Sequence, residues 1–239
     1  MLCLEMSDTA IDTMQFLELS LPSNDVRKSL EWYRSLGLFE LVTNDIRQYH
    51  YAVISDGHFC IGLHGNDLPG PGLSFVRQNL APHILERMDT GDEFIQAVLG
   101  EDSFHEAAQA DPDGSLAILM EARTFSPSHA EEQQPLIGAL ERIILPCMRI
   151  EESLEFWQRH GFIAVESEAH DHAELHAPGL LVGLHAGTRT ITLRFQPHDY
   201  DAAIATLNQI YELKMFSDNN VKGVELTAPE GTRIQLQTP

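Results

Sequence analysis

Ligand-type side chains alternate along the stretch HDHAELH, which spans residues 170–176. In an extended strand, His170, His172, Glu174 and His176 would share one face, because successive side chains point to opposite sides. Imidazole nitrogens and carboxylate oxygens bind divalent metals, and they also orient small molecules in cavities. Solvated faces and edge strands carry the same residue types. The stretch is therefore a candidate metal site, cavity wall or solvated face.

An internal duplication identifies the elements around this stretch. The sequence LPSNDVRKSLEWYRSLGL at 21–38 aligns without a gap with LPCMRIEESLEFWQRHGF at 145–162, an offset of 124 residues. In each copy proline ends a strand, an amphipathic helix follows, and glycine ends the helix where a left-handed residue is needed. Three short strands come next, so each copy predicts a βαβββ module. The predicted strands span 39–43, 49–55 and 58–64 in the first copy, and 162–167, 171–177 and 180–185 in the second.

Two fainter copies complete the chain. Residues 72–88 and 190–214 each predict a strand followed by a helix, and the turns in DPDGSLAILME and APEGTRIQLQ precede closing strands. A linker is predicted where Pro, Ser, Glu and Gln cluster. The sequence leaves open whether the four modules pair sequentially or crosswise. The predicted organisation is an N-terminal tail (1–13), a first domain (14–122, with modules 14–65 and 72–122), a linker (123–137) and a second domain (138–239, with modules 138–187 and 188–239).

The composition excludes several classes of function. The 239 residues include 36 acidic and 15 basic side chains, and the formal net charge of −21 disfavours binding to nucleic acid or anionic membranes. No stretch approaches the roughly 18 apolar residues that span a bilayer, and the N-terminus lacks the pattern of a signal peptide. Three scattered cysteines form no CxxC pair, which predicts a cytoplasmic location. We expect a small-molecule partner, and a monomer or homodimer.

The duplication also predicts what the histidine face contacts. Residues 170–176 align with 49–55, so Tyr49 and Tyr51 occupy the positions of His170 and His172. Aliphatic residues on the opposite face suit packing against the helices, which leaves the polar and aromatic face to line a cavity. The candidate ligand-binding residues are Tyr49, Tyr51, Arg142, His172, Glu174 and His176.

Two further pairs of polar residues fall at matching positions of the repeat. His64 and His185 end equivalent strands, where a histidine lines a site or simply caps a loop. Glu18 matches Arg142. These two residues are either an acid and a base inside the cavities or an ion pair between the domains.

The duplicated motifs resemble the vicinal oxygen chelate superfamily, which includes glyoxalase I, bleomycin-resistance proteins, fosfomycin-resistance enzymes and extradiol dioxygenases. The resemblance rests on SLEWYRSLG and SLEFWQRHG after a leading strand, and on DPDGSLAIL and APEGTRIQL before a closing strand. It implies an α+β fold in which four βαβββ modules form two glyoxalase/bleomycin-resistance-like domains with cup-shaped mixed sheets.

The resemblance also implies where metal ligands would lie, namely on the first and closing strands of the modules. Transferred to this sequence, the positions carry Glu18 or Phe16, Ser74, Ile118, Arg142, Thr192 and Gln235. Arginine cannot ligate a cation, so the usual ligand set is not intact. The remaining candidate metal ligands are Glu18, His64, His185 and Gln235, and the implied metal is Fe, Mn, Zn or Ni.

Two functions therefore stay open. The first is metal-independent binding of a small amphipathic or aromatic molecule in a cavity lined by the sheet, as the resemblance to bleomycin-resistance proteins implies. The second is a divalent-metal-dependent lyase, isomerase or dioxygenase that acts on a substrate with vicinal oxygens, as the resemblance to glyoxalases and dioxygenases implies. The incomplete ligand set favours the first function.

Overall fold

The computed structural model describes residues 14–43, 47–100, 104–121, 134–165, 171–218 and 221–238. The predicted tail 1–13, most of the predicted linker and His170 lie outside these ranges. The described residues form two eight-stranded mixed sheets with two helices each, which confirms the predicted α+β fold. None of these helices is long and apolar enough to cross a membrane.

The first sheet contains two βαβββ modules. Its elements are β1 (Gln15–Pro22), α1 (Val26–Ser35), β2 (Phe39–Leu41), β3 (Tyr51–Ser55), β4 (Cys60–His64), β5 (Gly72–Arg77), α2 (Leu80–Asp89), β6 (Gln96–Val98), β7 (Glu106–Ala110) and β8 (Leu116–Glu121).

The second sheet repeats this order. Its elements are β9 (Ala139–Leu145), α3 (Ile150–Arg159), β10 (Ile163–Val165), β11 (His172–Ala177), β12 (Leu180–His185), β13 (Thr192–Gln196), α4 (Tyr200–Leu207), β14 (Lys214–Asp218), β15 (Val221–Thr227) and β16 (Arg233–Gln237).

Each sheet joins two modules that are consecutive in the chain. The strand order is β2-β3-β4-β1-β5-β8-β7-β6 in the first sheet, and the second sheet has the equivalent order. The leading strands β1 and β5 pair antiparallel at the centre, and each also pairs in parallel with the closing strand of its own module. The modules of each sheet therefore pair sequentially, the first with the second and the third with the fourth. The polar faces of two consecutive modules form one cup.

Helix α1 begins after the strand-ending proline and ends before the glycine, as the repeat predicts. The side chain of Asp25 accepts a hydrogen bond of 3.0 Å from the backbone N–H of Lys28 at the start of α1, as helix N-caps do. Gly37 follows α1 with φ of 90°, a left-handed conformation that disfavours other residues. A Cβ atom at this position would also overlap the backbone of Leu136. Glycine is thus required here on two grounds.

One apolar core lies between the helix-covered faces of the two sheets. Tyr33 in α1 and Trp157 in α3 are fully buried in the same cluster of apolar side chains. The ring of Phe75 in the first sheet contacts that of Phe162 in the second half, with centroids 6.0 Å apart. The helix faces thus pack inward, and the opposite faces of the sheets are left to form the cups.

The two halves also exchange hydrogen bonds through their closing turns. Asp113, in the turn before β8, accepts from the backbone N–H of Met148 at 2.7 Å and of Arg149 at 3.0 Å, just before α3. In return, Glu230, in the turn before β16, accepts from Tyr33 Oη at 2.6 Å and Ser29 Oγ at 2.7 Å on α1. Each closing turn therefore binds the first helix of the other half.

We expect Asp113→Ala to reduce the free energy of unfolding by about 1 to 2 kcal/mol, the usual effect of losing a helix cap. The substitution leaves two backbone N–H groups at the start of α3 without their acceptor. Urea titration would measure the change, with Asp67→Ala at an exposed loop position as the control. Equal stability of the two variants would contradict the structural role of this turn.

Candidate functional site

Strand pairing aligns the implied ligand positions across each sheet. In the first sheet, Glu18 lies beside Ser74, which in turn lies beside Ile118. In the second sheet, Arg194 lies between Arg142 and Gln235. The sequence placed the ligand position of the fourth module at Thr192, and the pairing places Arg194 beside Arg142 instead. The register of β13 against β9 depends on partners distant in sequence, so local counting did not find it.

Glu18 is a buried carboxylate surrounded by hydrogen-bond donors. The residue is only 2% exposed. One of its oxygens accepts from Ser20 Oγ at 3.0 Å and lies 2.8 Å from His64 Nε2, and the other accepts from Tyr51 Oη at 2.5 Å. Burial raises its pKa, but the hydrogen bond and the charge of His64, together with the hydrogen bond from Tyr51 and the charge of Arg47, outweigh burial, so the pKa lies below its ordinary value.

A second contact extends from His64 to the mouth of the cup. His64 Nδ1 lies 3.2 Å from the hydroxyl of Tyr49, which accepts a hydrogen bond of 2.7 Å from Arg47 Nη1. The Arg47 guanidinium also lies over the ring of Tyr51, 4.2 Å from its centroid, in a cation–π contact. Together these side chains form one network from the sheet centre to its open edge.

The network ends at a cavity of about 400 Å³ beside the edge strand β2. The segment before β3 and β3 itself form one wall, and β2 with the residues after it forms the other. The cavity is lined by Glu40, Leu41, Val42, Thr43, Arg47, Tyr49, Tyr51, Ala52 and Val53. Its volume lies within the range of small-molecule sites, which is roughly 300 to 1,000 Å³.

Local sequence explains how these residues reach the cup. Tyr51 turns toward Glu18, and the neighbouring Ala52 and Ile54 belong to the core on the helix side. Gly62 in β4 makes room for Glu18, because a Cβ atom at this position would overlap the carboxylate. The glycine in IGLH is therefore part of the site, although the sequence showed it only as part of the repeat.

The second cup holds charged side chains that are paired with one another. Arg142 Nη1 donates to Glu174 Oε1 at 2.6 Å. Arg194 is 1% exposed, and it donates to Asp218 Oδ2 at 2.9 Å and to Gln235 Oε1 at 2.9 and 3.1 Å. Asp218 Oδ2 also lies 3.1 Å from His185 Nδ1. The guanidinium of Arg194 thus occupies the centre of this cup.

The polar residues of the HDHAELH stretch have different surroundings: His172 and Glu174 contact other side chains of the cup, and His176 does not belong to that group. His172 lies opposite His185, with ring centroids 5.9 Å apart, and Glu174 pairs with Arg142. His176 is exposed. Ala173 and Leu175 face the core, as the alternation predicted.

The candidate residues fall into two separate groups. Tyr49, Tyr51, Glu18 and His64 form the network of the first sheet. His185 and Gln235 are both connected to Arg194 in the second, His185 through Asp218. Glu18 and Arg142 form no ion pair with each other, since each bonds within its own sheet.

Sequence reasoning missed several members of these networks. Arg47 was detectable, because Arg47, Tyr49 and Tyr51 alternate and so point to one side of an extended segment. Arg194 and Asp218 had no local signal, since they meet only when β13 and β14 join one sheet.

The residues present do not fit a divalent metal at the implied positions. Arg142 and Arg194 have no lone pair to offer, and Ile118 has no donor atom. Both oxygens of Glu18 already accept hydrogen bonds. Among the described residues, no group of three or more His, Cys, Asp or Glu side chains could hold a metal ion.

We expect low pH to reduce the free energy of unfolding, in part because Glu18 becomes protonated. A carboxyl group whose pKa is lower in the folded state contributes stability above its unfolded-state pKa of about 4.3, and the contribution is lost as pH falls through the folded-state pKa. We expect the free energy of unfolding, measured with urea at about pH 6 and about pH 3, to decrease less in Glu18→Gln than in the wild type. Identical pH dependence in the two proteins would show that Glu18 is not bound as a carboxylate.

No protein-family model matches the sequence, and neither does any curated protein. Solved structures do match. An extradiol ring-cleaving dioxygenase from B. fuscum has 13% identity and a TM-score of 0.63, over 95% of this chain and 72% of that chain. A 2,2',3-trihydroxybiphenyl 1,2-dioxygenase from Sphingomonas wittichii has 17% identity and a TM-score of 0.58, over 94% and 90%. A catechol 2,3-dioxygenase has 12% identity and a TM-score of 0.62, over 96% and 91%.

At these identities the likeness concerns the fold and not the reaction. Each of the three covers nearly all of this chain, and both sheets are included. Together with the four βαβββ modules, the comparison establishes that the chain has the same two-domain fold as these dioxygenases.

Proposed function

We propose that this protein binds a small molecule in the cavity beside β2 at the edge of the first sheet, and that no divalent metal takes part in binding. The observation that carries the proposal is Glu18. It lies at a position where the fold offers a metal ligand, yet its oxygens are occupied by Ser20, Tyr51 and His64. A cavity of suitable size adjoins this network.

The lining of the cavity indicates the chemistry of the ligand. The rings of Tyr49 and Tyr51 supply aromatic surface, and Leu41 and Val53 supply aliphatic surface. Arg47 supplies a guanidinium, which is suited to carboxylate or other planar acceptor groups. These features favour a small aromatic molecule that carries an acceptor group.

Ligand-dependent thermal stabilisation tests the proposal. A panel of aromatic carboxylates, phenols and amines would be screened for increases in melting temperature, since a ligand that binds the folded state raises it. We expect aromatic carboxylates to produce the largest increase, and Arg47→Gln to remove most of it. Tyr200→Phe, a substitution in α4 far along the chain from this cup, is the control. An increase that survives Arg47→Gln unchanged would place the site elsewhere.

A metal-dependent enzyme that acts on a substrate with vicinal oxygens is the second candidate function. The specific observation in its favour is that the matching structures described above are those of extradiol dioxygenases. Elemental analysis of protein purified without chelator or histidine tag separates the two functions. We expect the wild type and His185→Ala to contain well below one ion per chain. Near-stoichiometric metal that is lost in His185→Ala or His64→Ala would favour the enzyme.

A further inference from the structure

A second cavity lies between the two halves of the chain, beside the turn that precedes β16. Its volume is about 320 Å³, at the lower end of the range for small-molecule sites, which is roughly 300 to 1,000 Å³. The first half contributes the end of β1 and the residue before β5. The second half contributes the residue after β9, the residues before β13 and the turn before β16. A molecule bound here would therefore contact both halves at once.

One part of the wall of this cavity is aliphatic and rigid. Pro22, Pro71 and Pro146 line it, and all three are only partly buried. A proline ring fixes φ and leaves no backbone N–H, so it offers apolar surface with little conformational freedom to lose on binding. Leu21 and Ile191, both buried, add further aliphatic surface. These side chains suit a short aliphatic chain.

The positive charge in the lining belongs to Arg189, which is exposed. Its segment is held in place, because the backbone N–H of Cys147 donates to the carbonyl of Thr188 at 2.8 Å, and that of Gly187 donates to the carbonyl of Cys147 at 2.9 Å. Within the part of the chain that the structure describes, the Arg189 guanidinium forms no hydrogen bond, ion pair or ring contact, whereas every other described arginine has a partner. A chain with 36 acidic and 15 basic residues offers many carboxylates, so an arginine without an acceptor is an exception that indicates an anionic ligand.

The other charged group of the lining is Glu230, and its carboxylate is already bonded. Its two oxygens accept from Tyr33 Oη at 2.6 Å and from Ser29 Oγ at 2.7 Å, both on α1. This carboxylate is therefore directed to the helix, and the guanidinium of Arg189 stays available to a ligand. The negative charge of Glu230 also disfavours a second anionic group in the same cavity, because like charges placed close together repel.

We propose that the cavity between the two halves binds a small monocarboxylate with a short aliphatic chain. The carboxylate pairs with Arg189, and the chain lies against the three prolines. A guanidinium suits this group because it can donate two parallel hydrogen bonds to the two carboxylate oxygens. The site is separate from the cavity beside β2, so the proposal does not depend on the function proposed above.

Isothermal titration calorimetry with hexanoate tests the role of the guanidinium. We expect a Kd of about 1 mM, which is the scale for a ligand of this size. Arg189→Gln should weaken hexanoate binding about 10-fold, because the ligand loses a charged hydrogen-bond partner. The matched control is Arg27→Gln, at an exposed position of α1, which should leave the affinity unchanged.

A series of related molecules tests the ligand class. Butanoate should bind about 10-fold more weakly than hexanoate, because it buries two fewer methylene groups. We also expect weaker binding of 1-hexanol, which lacks the charge, and of adipate, whose second carboxylate Glu230 repels. Thr190→Phe, at a half-buried position of the lining, should fill the cavity and abolish hexanoate binding in a protein that still folds by circular dichroism.

Three results would overturn the proposal. The first is the absence of both binding heat and a rise in melting temperature with hexanoate at about ten times the expected Kd. The second is equal hexanoate affinity in the wild type and Arg189→Gln, and a concurrent loss of affinity in Arg47→Gln would place the anion in the cavity beside β2 instead. The third is binding of 1-hexanol as tight as that of hexanoate, since the guanidinium would then not select the ligand.

Discussion

Asp218→Ala should destabilise the second half of the protein by about 2 kcal/mol, because it removes the carboxylate partner of a buried guanidinium while the 34% exposure of the Asp218 side chain lets water offset part of the loss. Arg194 is 1% exposed, and Asp218 is the carboxylate that its guanidinium contacts. Without that carboxylate, a charge stays out of water, and among the described residues the neutral Gln235 carbonyl is the acceptor that remains for it. Urea titration would measure the loss, with Asp67→Ala as the exposed control.

A double variant distinguishes loss of charge balance from loss of packing. Arg194→Met with Asp218→Leu removes both charges and keeps apolar volume, and such replacements of buried ion pairs are often neutral or stabilising. We expect it to recover most of the stability lost in Asp218→Ala. A double variant that is less stable than Asp218→Ala would mean that Arg194 is held by contacts other than its ion pair.

The triple variant Arg142→His, Arg194→His and Gln235→Glu should bind a divalent metal. The three positions are adjacent across β9, β13 and β16, so the new side chains would converge as two imidazoles and one carboxylate. Three such protein ligands suffice for a zinc or non-haem iron site. Calorimetry with Zn²⁺ should give a Kd of about 1 μM or below, which corresponds to about 8 kcal/mol, and no comparable binding by the wild type.

The matched control places the same residue types out of register. Thr192→His in place of Arg194→His moves one imidazole two residues along β13, beside Ile144 instead of position 142. This control should bind Zn²⁺ at least about 10-fold more weakly, a difference of about 1.4 kcal/mol. Equal affinity, with both variants folded by circular dichroism, would show that these strand positions do not converge.

The two cups carry different polar groups at the aligned positions of their central strands. In the second, the guanidinium of Arg194 supplies the positive charge, and Asp218 and Gln235 surround it. In the first, the carboxylate of Glu18 lies at the centre, and its partners include His64 and Tyr51. The guanidinium of Arg194 is surrounded by its own partners, whereas the network around Glu18 adjoins a cavity of about 400 Å³. For this reason the proposed binding function concerns the first sheet.

The sequence by itself determined the modules. The gap-free repeat of residues 21–38 at 145–162 predicted βαβββ units because strand, proline, helix and glycine follow from local propensity and periodicity. It also identified Glu18 and Arg142 as equivalent positions of the two halves, and likewise Tyr51 and His172. These inferences needed no knowledge of partners, because a duplicated segment keeps its local geometry.

Only the tertiary structure decided which side chains meet. His64 contacts Glu18 across 46 positions of the chain, and Asp218 meets Arg194 across 24. Such contacts depend on strand register and sheet order, and local patterns leave both open, as the displacement from Thr192 to Arg194 shows. The same reason applies to Glu230, whose turn was predictable but whose binding to Tyr33 depends on how the two halves pack. Local periodicity specifies which face a side chain occupies, and long-range pairing specifies what that face contacts.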